Sequence, residues 1–387
     1  MTAATPHPPF VAIACGGTGG HLFPGLAVAG QLRQRGCSVA VLISPKEVDQ
    51  QAVRAARGLT VLTLPAVALQ NRNYFAFARS GWRSWRAARK FFRAHPPQAV
   101  LAMGGFTSAP PVLAAKPFGA LTFLHESNTI PGRANRLLAR WVDGAFVGFP
   151  GAAGRLRNPA VIVTGTPVRP EFQPRDPAQC RAQLGLDPHR PTILVMGGSQ
   201  GASGLNRLIL SVLPRVAGRD WQWLHLTGPG DFDRVRAAYA ACSLPAVVKP
   251  FLAEMDLALG AATAAVSRAG ASSLAEIAAL RLPSLLVPYP AAADQHQLHN
   301  ALAFTSTGAA RMLEQEPATP EKCLACLNDL VDNEPFRAGL RAALARWDTP
   351  RAAADIAERI LNAITRRAEE RRPGGAHLPG DCCKANA

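Results

Sequence analysis

Acidic residues are nearly missing from the first 165 of the 387 residues. This stretch holds 18 Lys and Arg but only four acids, so it carries a net charge of +14 out of the +16 of the whole chain. The remainder is close to neutral. The asymmetry indicates that the N-terminal half binds an anionic partner. Nucleic acid, an anionic membrane surface and a phosphorylated substrate are all possible partners of this kind.

Long apolar runs are also lacking. None reaches the roughly 18 residues of a membrane-spanning helix, so we expect no span. The N-terminus has neither the basic region nor the long apolar stretch of a signal peptide, so we expect the protein to stay in the cytoplasm. The eight cysteines have no regular spacing and are expected to be reduced; Cys323 and Cys326 form a lone CxxC that also fits one helix face.

The chain has no GxxxxGK motif and no GxGxxG in register, which counts against P-loop NTPases and NAD enzymes. Short apolar runs instead alternate with helical patterns, an order typical of parallel sheets with crossover helices. The same alternation of strand and helix patterns begins again near Thr192, which predicts two similar α/β halves. We place the connection at 161–174, where Pro167, Pro170 and Pro174 disfavour a helix. The predicted parts are domains 8–166 and 167–347, a helix 348–372 that packs back on the first domain, and a disordered tail 373–387.

Glycine-rich loops follow three of the predicted strands. They are Gly16-Gly17-Thr18-Gly19-Gly20-His21, Gly104-Gly105-Phe106-Thr107-Ser108 and Gly197-Gly198-Ser199-Gln200-Gly201. Glycine lets a backbone approach a ligand closely, and a following helix N-terminus offers unpaired N–H groups to an anion. The bland alternative for each loop is a tight strand-to-helix turn.

Five motifs in order resemble one family, the bacterial peptidoglycan N-acetylglucosaminyltransferases of the GT-B superfamily that convert lipid I to lipid II. They are Gly16 to His21, His125 to Asn128, Gly197 to Gly201, Ser267 to Ala271 with Glu276, and Asp294 to Asn300. The resemblance implies an α/β fold of two Rossmann-like domains facing across a cleft. It also implies UDP-N-acetylglucosamine as donor, undecaprenyl-pyrophosphoryl-N-acetylmuramyl-pentapeptide as acceptor, inversion at the anomeric carbon, and no cofactor.

The resemblance implies donor contacts along both halves of the chain. Arg169, Ser199 and Gln200 would meet the diphosphate and uridine region, Phe251 and Leu252 the uracil edge, Glu276 the ribose, and Gln297 and Asn300 the sugar hydroxyls. The remaining donor positions are Thr18, Gly19, Gly20, Asn128, Ala271, Ser272, Ser273, Leu274 and Ala275. Acceptor contacts would come from Gly16, Gly17, Gly104, Gly105, Thr107 and Ser108.

His21 is the candidate catalytic base, because a hydroxyl that attacks an anomeric carbon benefits from a base of near-neutral pKa. The alternative is a histidine that only caps the turn or hydrogen-bonds the acceptor diphosphate. Glu126 and His125 are assisting candidates, and His125 has a structural alternative. The Asp231-x-Asp233 pair resembles the metal-binding pair of other transferases, but its place at the start of an exposed helix explains it, and we expect no metal.

Basic and aromatic residues alternate through 72–93 without an acid. The set includes Arg72, Phe75, Phe77, Arg79, Trp82, Arg83, Trp85, Arg86, Phe91 and Phe92. Such a segment suits the interface of an anionic membrane. An amphipathic helix with core-facing aromatics, such as Phe91 or Phe92, and a nucleic-acid surface are the alternatives; the lipid-linked acceptor favours the membrane.

We therefore expect a peripheral enzyme on the cytoplasmic face of the bacterial inner membrane, in contact with other cell-wall synthesis proteins and not with nucleic acid. Three other functions remain open. They are a different GT-B lipid glycosyltransferase, such as one acting on diacylglycerol, a UDP-N-acetylglucosamine epimerase, and a nonenzymatic membrane scaffold that senses UDP-sugar.

Overall fold

The structure is a computed structural model that describes residues 8–55, 58–66, 73–198 and 201–371. It contains two all-parallel sheets, one in each half of the chain, with helices packed on both faces. The predicted α/β class with two Rossmann-like domains is confirmed. In the described part of the chain no helix combines the length and apolar character needed to cross a membrane.

The first sheet has seven strands in the order β3-β2-β1-β4-β5-β6-β7. They are β1 (Phe10–Ala14), β2 (Ser38–Ile43), β3 (Thr60–Thr63), β4 (Ala99–Ala102), β5 (Leu121–Glu126), β6 (Gly144–Val147) and β7 (Val161–Val163). The helices of this domain are α1 (Gly19–Gln34), α2 (Glu47–Ala55), α3 (Tyr74–Ala94), α4 (Ala109–Ala115), α5 (Arg133–Leu138) and α6 (Pro150–Ala153).

The second sheet has six strands in the order β10-β9-β8-β11-β12-β13. They are β8 (Thr192–Met196), β9 (Gln222–Leu226), β10 (Ala246–Lys249), β11 (Ala264–Ser267), β12 (Ser284–Leu286) and β13 (Arg311–Met312). The helices that follow the connection are α7 (Pro177–Gln183), α8 (Ser203–Val212), α9 (Phe232–Ala241), α10 (Met255–Ala261), α11 (Ala271–Ala279), α12 (His296–Thr305), α13 (Pro320–Asp332), α14 (Glu334–Leu344) and α15 (Ala352–Glu370).

Alternation along β1 places its side chains in two separate cores. Val11 and Ile13 pack with α1 on one face of the sheet, whereas Ala12 and Ala14 pack with Phe92 of α3 on the other. The small alanines let this second layer of helices approach the sheet closely. Both faces are therefore covered, as a parallel sheet requires.

Strand order reverses between β1 and β4 in the first sheet and between β8 and β11 in the second. Connections leave the sheet in opposite directions at such a switch point, so a crevice opens beyond the carboxyl ends of the two strands. The two glycine-rich loops of the first domain follow β1 and β4. The loops after β8 and β11 occupy the equivalent place in the second domain.

The connection between the domains starts later than the prolines suggested. Val161–Val163 forms strand β7 at the edge of the first sheet, paired in parallel with β6, so this part of the predicted connecting segment is wrong. Three β-branched residues pair readily at an edge, and the proline effect begins only at Pro167. After the second sheet, α15 returns to the first domain, where Ile356 and Ile360 are buried against its core.

Candidate active site

The glycine loops after β1 and β4 are in contact with each other. The Thr107 hydroxyl donates to the Gly16 carbonyl over 2.7 Å. Gly17 has φ +111°, and a Cβ on it would lie 2.9 Å from the Phe106 ring. Gly16 has no room for a side chain either, because a Cβ there would collide with the backbone of Ser44. Glycine is therefore needed in both places, and a bare tight turn would not explain this packing.

The hydroxyls of the second loop point into the protein. Thr107 and Ser108 are fully buried. The Ser108 hydroxyl accepts a hydrogen bond from the Gly104 N–H and donates one to the Gly104 carbonyl. Their predicted acceptor contacts cannot come from these hydroxyls in this conformation, because the chain already uses them. Backbone N–H groups of the loop and of the α1 N-terminus remain as anion donors.

His21 lies in the first turn of α1, under the second loop. A Cβ on Gly104 would lie 2.9 Å from its Cε1 atom, so glycine at that position makes room for the ring. Its Nδ1 atom is buried without a hydrogen-bond partner. Burial lowers the pKa of His21, although the nearby Glu126 carboxylate partly opposes this. The lowered pKa favours the neutral ring, the state in which an imidazole can accept a proton.

Glu126 ends β5 and is 2% exposed. One carboxylate oxygen accepts from the backbone and side chain of Asn128, at 2.8 and 3.1 Å. The other accepts from Gly132 N and Asn135 Nδ2, at 2.9 and 3.0 Å. With both oxygens engaged twice, this carboxylate shapes the loop 126–135. It has little capacity left to take a substrate proton, which weighs against the assisting catalytic role.

His125 ties the first domain to the connection. Its Nε2 lies 3.0 Å from the Gly165 carbonyl, and Ser127 Oγ lies 3.3 Å from its Nδ1. Burial lowers the pKa of His125 to about 4, with the Gly165 bond opposing the shift. A neutral ring that donates to Gly165 and accepts from Ser127 fits these contacts, and the structural alternative describes His125 well.

The two domains meet directly through Asn300, which is fully buried on α12. Its side-chain oxygen accepts from Thr129 N over 2.9 Å, and its nitrogen donates to Asn128 Oδ1 and Ala269 O over 3.0 and 3.1 Å. The Asn300 side chain is thus engaged with the protein, and its contact with a sugar hydroxyl stays a prediction. Asn128 is engaged in the same contact.

Three further side-chain contacts cross the same boundary. The Ser272 hydroxyl donates to the Gly20 carbonyl over 3.0 Å, which joins the N-termini of α11 and α1. Asp294 pairs with Arg133 at 3.4 Å and with Arg136 at 3.0 Å. The four strand-end loops therefore face one shared crevice between the domains.

In the second domain, the loop after β8 begins and ends in the described residues, but Ser199 and Gln200 lie outside them. A Cβ on Gly201 would collide with the Thr227 carbonyl. The loop after β11 is braced by Arg268, which donates to the carbonyls of Val287 and Pro288 at 2.9 and 3.1 Å. Helix α11 begins directly after this loop, at Ala271. The backbone N–H groups of its first turn, from Ala271 to Ser273, lie at the crevice end of the helix.

Glu276 of α11 and Arg169 of the connection interact electrostatically at the wall of the crevice. Burial raises the pKa of Glu276 to about 7, with Arg169 opposing and Glu171 adding to the rise. Arg169 pairs with Glu171 over 3.0 Å and lies over the rings of Phe23 and Phe172. Its Nε is buried without a partner. An arginine with an unpaired donor suits the recognition of an anionic group.

The remaining predicted donor residues divide into exposed and buried positions. Phe251 is 56% exposed, whereas the Leu252 side chain is buried in the hydrophobic core of the second domain. Leu252 thus offers only its backbone. Leu274 is also fully buried. Gln297 Oε1 accepts from Tyr289 N over 2.9 Å, which fixes its side chain near the crevice.

The aspartates of the Asp231-x-Asp233 pair have protein partners. Asp231 accepts from Asn206 over 2.8 Å and pairs with Arg234, while the exposed Asp233 pairs with Arg236. Across the ranges that the structure describes, no group of three His, Cys, Asp or Glu side chains is placed to hold a metal ion.

The two cysteines of the CxxC motif, Cys323 and Cys326, are free thiols on helix α13.

Sequence reasoning missed Asp49 as a site residue. It is fully buried on α2, and its Oδ2 accepts from Gly17 N at 2.7 Å and from Ser44 Oγ at 2.5 Å. Its Oδ1 has no partner. The scarcity of acids was the available signal, because Asp49 and Glu126 are two of only four acids in the first 165 residues, and each one holds a loop of the crevice.

Helix α3 presents an aromatic and basic face to solvent. Phe75, Phe77 and Trp82 are 80%, 38% and 55% exposed, and Arg79, Arg83 and Arg86 are exposed beside them. Trp85 is only half-buried and packs against the core together with Phe91, while Phe92 is fully buried. Arg72 lies outside the described residues. The exposed ring set is therefore smaller than the sequence segment suggested.

Two family models match the chain at the two domains. The glycosyltransferase family 28 N-terminal domain matches residues 11–147, and the family 28 C-terminal domain matches residues 192–360. The chain belongs to glycosyltransferase family 28. This transferase resembles curated proteins named UDP-N-acetylglucosamine–N-acetylmuramyl-(pentapeptide) pyrophosphoryl-undecaprenol N-acetylglucosamine transferase, which confirms the family indicated by the motifs.

The relative from Allorhizobium ampelinum is 35% identical, with 90% of this chain and 94% of the relative covered. The relative from Acidithiobacillus ferrooxidans is 41% identical over 79% and 84%. Crystalline MurG from Acinetobacter baumannii has a TM-score of 0.72 and 26% identity, and covers 92% of this transferase and all of its own chain. A putative UDP-N-acetylglucosamine 2-epimerase from Listeria monocytogenes, at 18% identity and a TM-score of 0.68, shares the fold alone.

Proposed function

We propose that this transferase moves N-acetylglucosamine from UDP-N-acetylglucosamine to the 4-hydroxyl of the N-acetylmuramyl-pentapeptide of lipid I, and so makes lipid II for peptidoglycan. The observation that carries the proposal is the agreement of relatives 33% to 41% identical, all of them named for this transfer. The crevice adds what the reaction requires, because it has two glycine loops on one side and a helix N-terminus with a carboxylate on the other.

The donor binds to the second domain. The N–H groups at the start of α11, from Ala271 to Ser273, receive the diphosphate at the positive end of the helix dipole. Glu276, one turn further, accepts hydrogen bonds from the ribose hydroxyls when it is ionised. Arg169 adds a cation from the connection, and its unpaired Nε supports this assignment.

The acceptor binds to the first domain. Its pyrophosphate lies against the paired loops Gly16–Gly20 and Gly104–Gly105, where the glycines let the backbone approach a ligand and the α1 N-terminus supplies N–H groups. Gly20 is joined to Ser272 across the domain boundary, so the two substrate sites are brought to the same point.

His21 acts as the base in this scheme. Its neutral imidazole takes the proton of the acceptor 4-hydroxyl while that oxygen bonds to the anomeric carbon. The bond from the anomeric carbon to the diphosphate oxygen breaks, and UDP leaves with the bonding electron pair. One displacement inverts the anomeric configuration. No step needs a metal ion, because the helix N-terminus and Arg169 stabilise the charge on the leaving diphosphate.

The lipid tail of the acceptor places the reaction at a membrane surface. The face of α3 formed by Phe75, Phe77, Trp82 and its arginines provides rings for the headgroup level and cations for anionic lipids. We place the protein on the cytoplasmic side of the inner membrane, as a peripheral protein in contact with other cell-wall synthesis proteins.

The test is transfer of radiolabelled N-acetylglucosamine from its UDP donor to a short-chain lipid I analogue, with EDTA present. We expect lipid-dependent product, and a rate loss of at least about 100-fold in His21→Ala with UDP-N-acetylglucosamine binding retained. Transfer to diacylglycerol alone would support the other lipid glycosyltransferase instead. Lipid-independent release of UDP would support the epimerase, and binding without turnover the scaffold.

A further inference from the structure

Lys46 lies next to the acceptor loops, outside every motif that carried the family resemblance. Its ammonium donates to the Gly17 carbonyl over 2.8 Å. The same ammonium lies 5.5 Å from the centre of the Phe106 ring, which belongs to the second loop. One cation therefore contacts both glycine loops at the place where they meet.

The backbone of Lys46 is held in place by Ser44 and Asp49. Its backbone N–H donates to Ser44 Oγ over 3.3 Å, and that hydroxyl is held by the buried Asp49. Asp49 also holds Gly17 N–H, so the peptide groups on both sides of Gly17 are oriented from the short segment 44–49. These contacts hold the Lys46 backbone beside the loop, and the bond to the Gly17 carbonyl directs its side chain there.

The charge of Lys46 remains available to a ligand. An ammonium has three N–H donors, and the Gly17 carbonyl takes one of them. The neighbouring Asp49 carboxylate is turned toward Gly17 N and Ser44, and Lys46 itself is exposed. A cation that is anchored by one bond and faces an anion site with two further donors is suited to bind phosphate oxygens.

We propose that Lys46 binds the diphosphate of the acceptor lipid, as a cationic third wall beside the two glycine loops. The proposal rests on the proposed function for the nature of the acceptor. It adds a cationic side chain to the paired loops, in which the Thr107 and Ser108 hydroxyls are engaged inside the protein.

The test compares Lys46→Met and Lys46→Arg with the wild type, using steady-state transfer to a short-chain lipid I analogue. We expect Lys46→Met to raise the acceptor KM about tenfold, with the KM for UDP-N-acetylglucosamine unchanged, and Lys46→Arg to recover most of the loss. Lys322→Met, at an exposed position on α13 of the second domain, is the matched control and should behave as wild type.

A second measurement separates binding from mere support of the loop. A short-chain prenyl diphosphate should inhibit transfer competitively with the acceptor, and its inhibition constant should rise about tenfold in Lys46→Met, while inhibition by the matching prenyl alcohol stays the same. Equal changes for both compounds, or for neither, would overturn the proposal. Absence of transfer in the wild type would instead count against the proposed function.

Discussion

The side-chain nitrogen of Asn300 lies 3.0 Å from the side-chain oxygen of Asn128, on the opposite side of the domain boundary. Thr129 N donates to the same Asn300 from the first domain over 2.9 Å. These bonds link the loop shaped by Glu126 to helix α12, and so hold the two walls of the crevice together. This buried asparagine therefore contributes to holding the domains together, beside the Ser272–Gly20 bond and the ion pairs of Asp294.

Replacing Asn300 by Ala should open the crevice. The change removes two cross-domain bonds and one bond to Ala269, each worth about 1 kcal/mol net, so we expect kcat/KM for transfer to fall roughly 10- to 100-fold. Small-angle X-ray scattering should show a larger radius of gyration for the variant. Asn362→Ala, at an exposed position on α15, is the control; equal scattering curves for all three proteins would refute the closing role.

Donor binding should depend on pH through Glu276. Burial raises the pKa of this carboxyl to about 7, and only the ionised form accepts two ribose hydrogen bonds. The affinity for UDP-N-acetylglucosamine should therefore increase about tenfold between pH 6 and pH 8, as measured by titration calorimetry. Glu276→Gln should bind more weakly and lose this dependence. A pH dependence that survives the substitution would point to another group.

The stability of the second domain should fall in acid because of His225. This ring is bonded to Asn206 and Tyr239, and burial lowers its pKa from 6.5 to about 3. The unfolded chain gains a proton below pH 6.5 that the folded protein does not, so the stability contributed by the neutral ring is lost as pH falls from 6.5 toward 3.

Urea unfolding at pH 7 and pH 5 measures this effect. The wild type should lose on the order of 2 kcal/mol more than His225→Gln over this interval, because the variant has no imidazole at that position. Comparison with the variant cancels the other titrating groups, including Glu276, whose raised pKa acts in the opposite direction. Equal losses in the two proteins would show that His225 is not the responsible group.

Much of the fold could be predicted from the sequence, because glycine and β-branched residues have local effects. The strand at Thr192–Met196 and the loops after β1, β4 and β8 follow from composition alone. The role of Asn300 in joining the two domains could not be predicted, since its partner Asn128 is 172 residues away in the sequence. Asp49 was hidden for a similar reason: its place on a short helix says nothing about the Gly17 N–H 32 residues earlier.

Membrane binding should depend on the exposed rings of α3. Removing a ring that inserts into the interface costs about 1.5 to 3 kcal/mol, so Phe75→Ser and Trp82→Ser should each lower partitioning onto anionic vesicles at least about tenfold. Binding should also weaken with salt, since arginines contribute. Co-sedimentation with phosphatidylglycerol vesicles checks this, with Leu302→Ser, an exposed apolar residue of the second domain, as the control. Unchanged binding in both ring variants would exclude this face.

The linkage and configuration of the product give the most direct test of the whole account. After turnover of UDP-N-acetylglucosamine with a short-chain lipid I analogue, nuclear magnetic resonance should show one new N-acetylglucosamine on oxygen 4 of the muramyl sugar, in the β configuration, because a single displacement inverts the α-linked donor. An α linkage, attachment at another position, or release of a free sugar without a lipid product would contradict it.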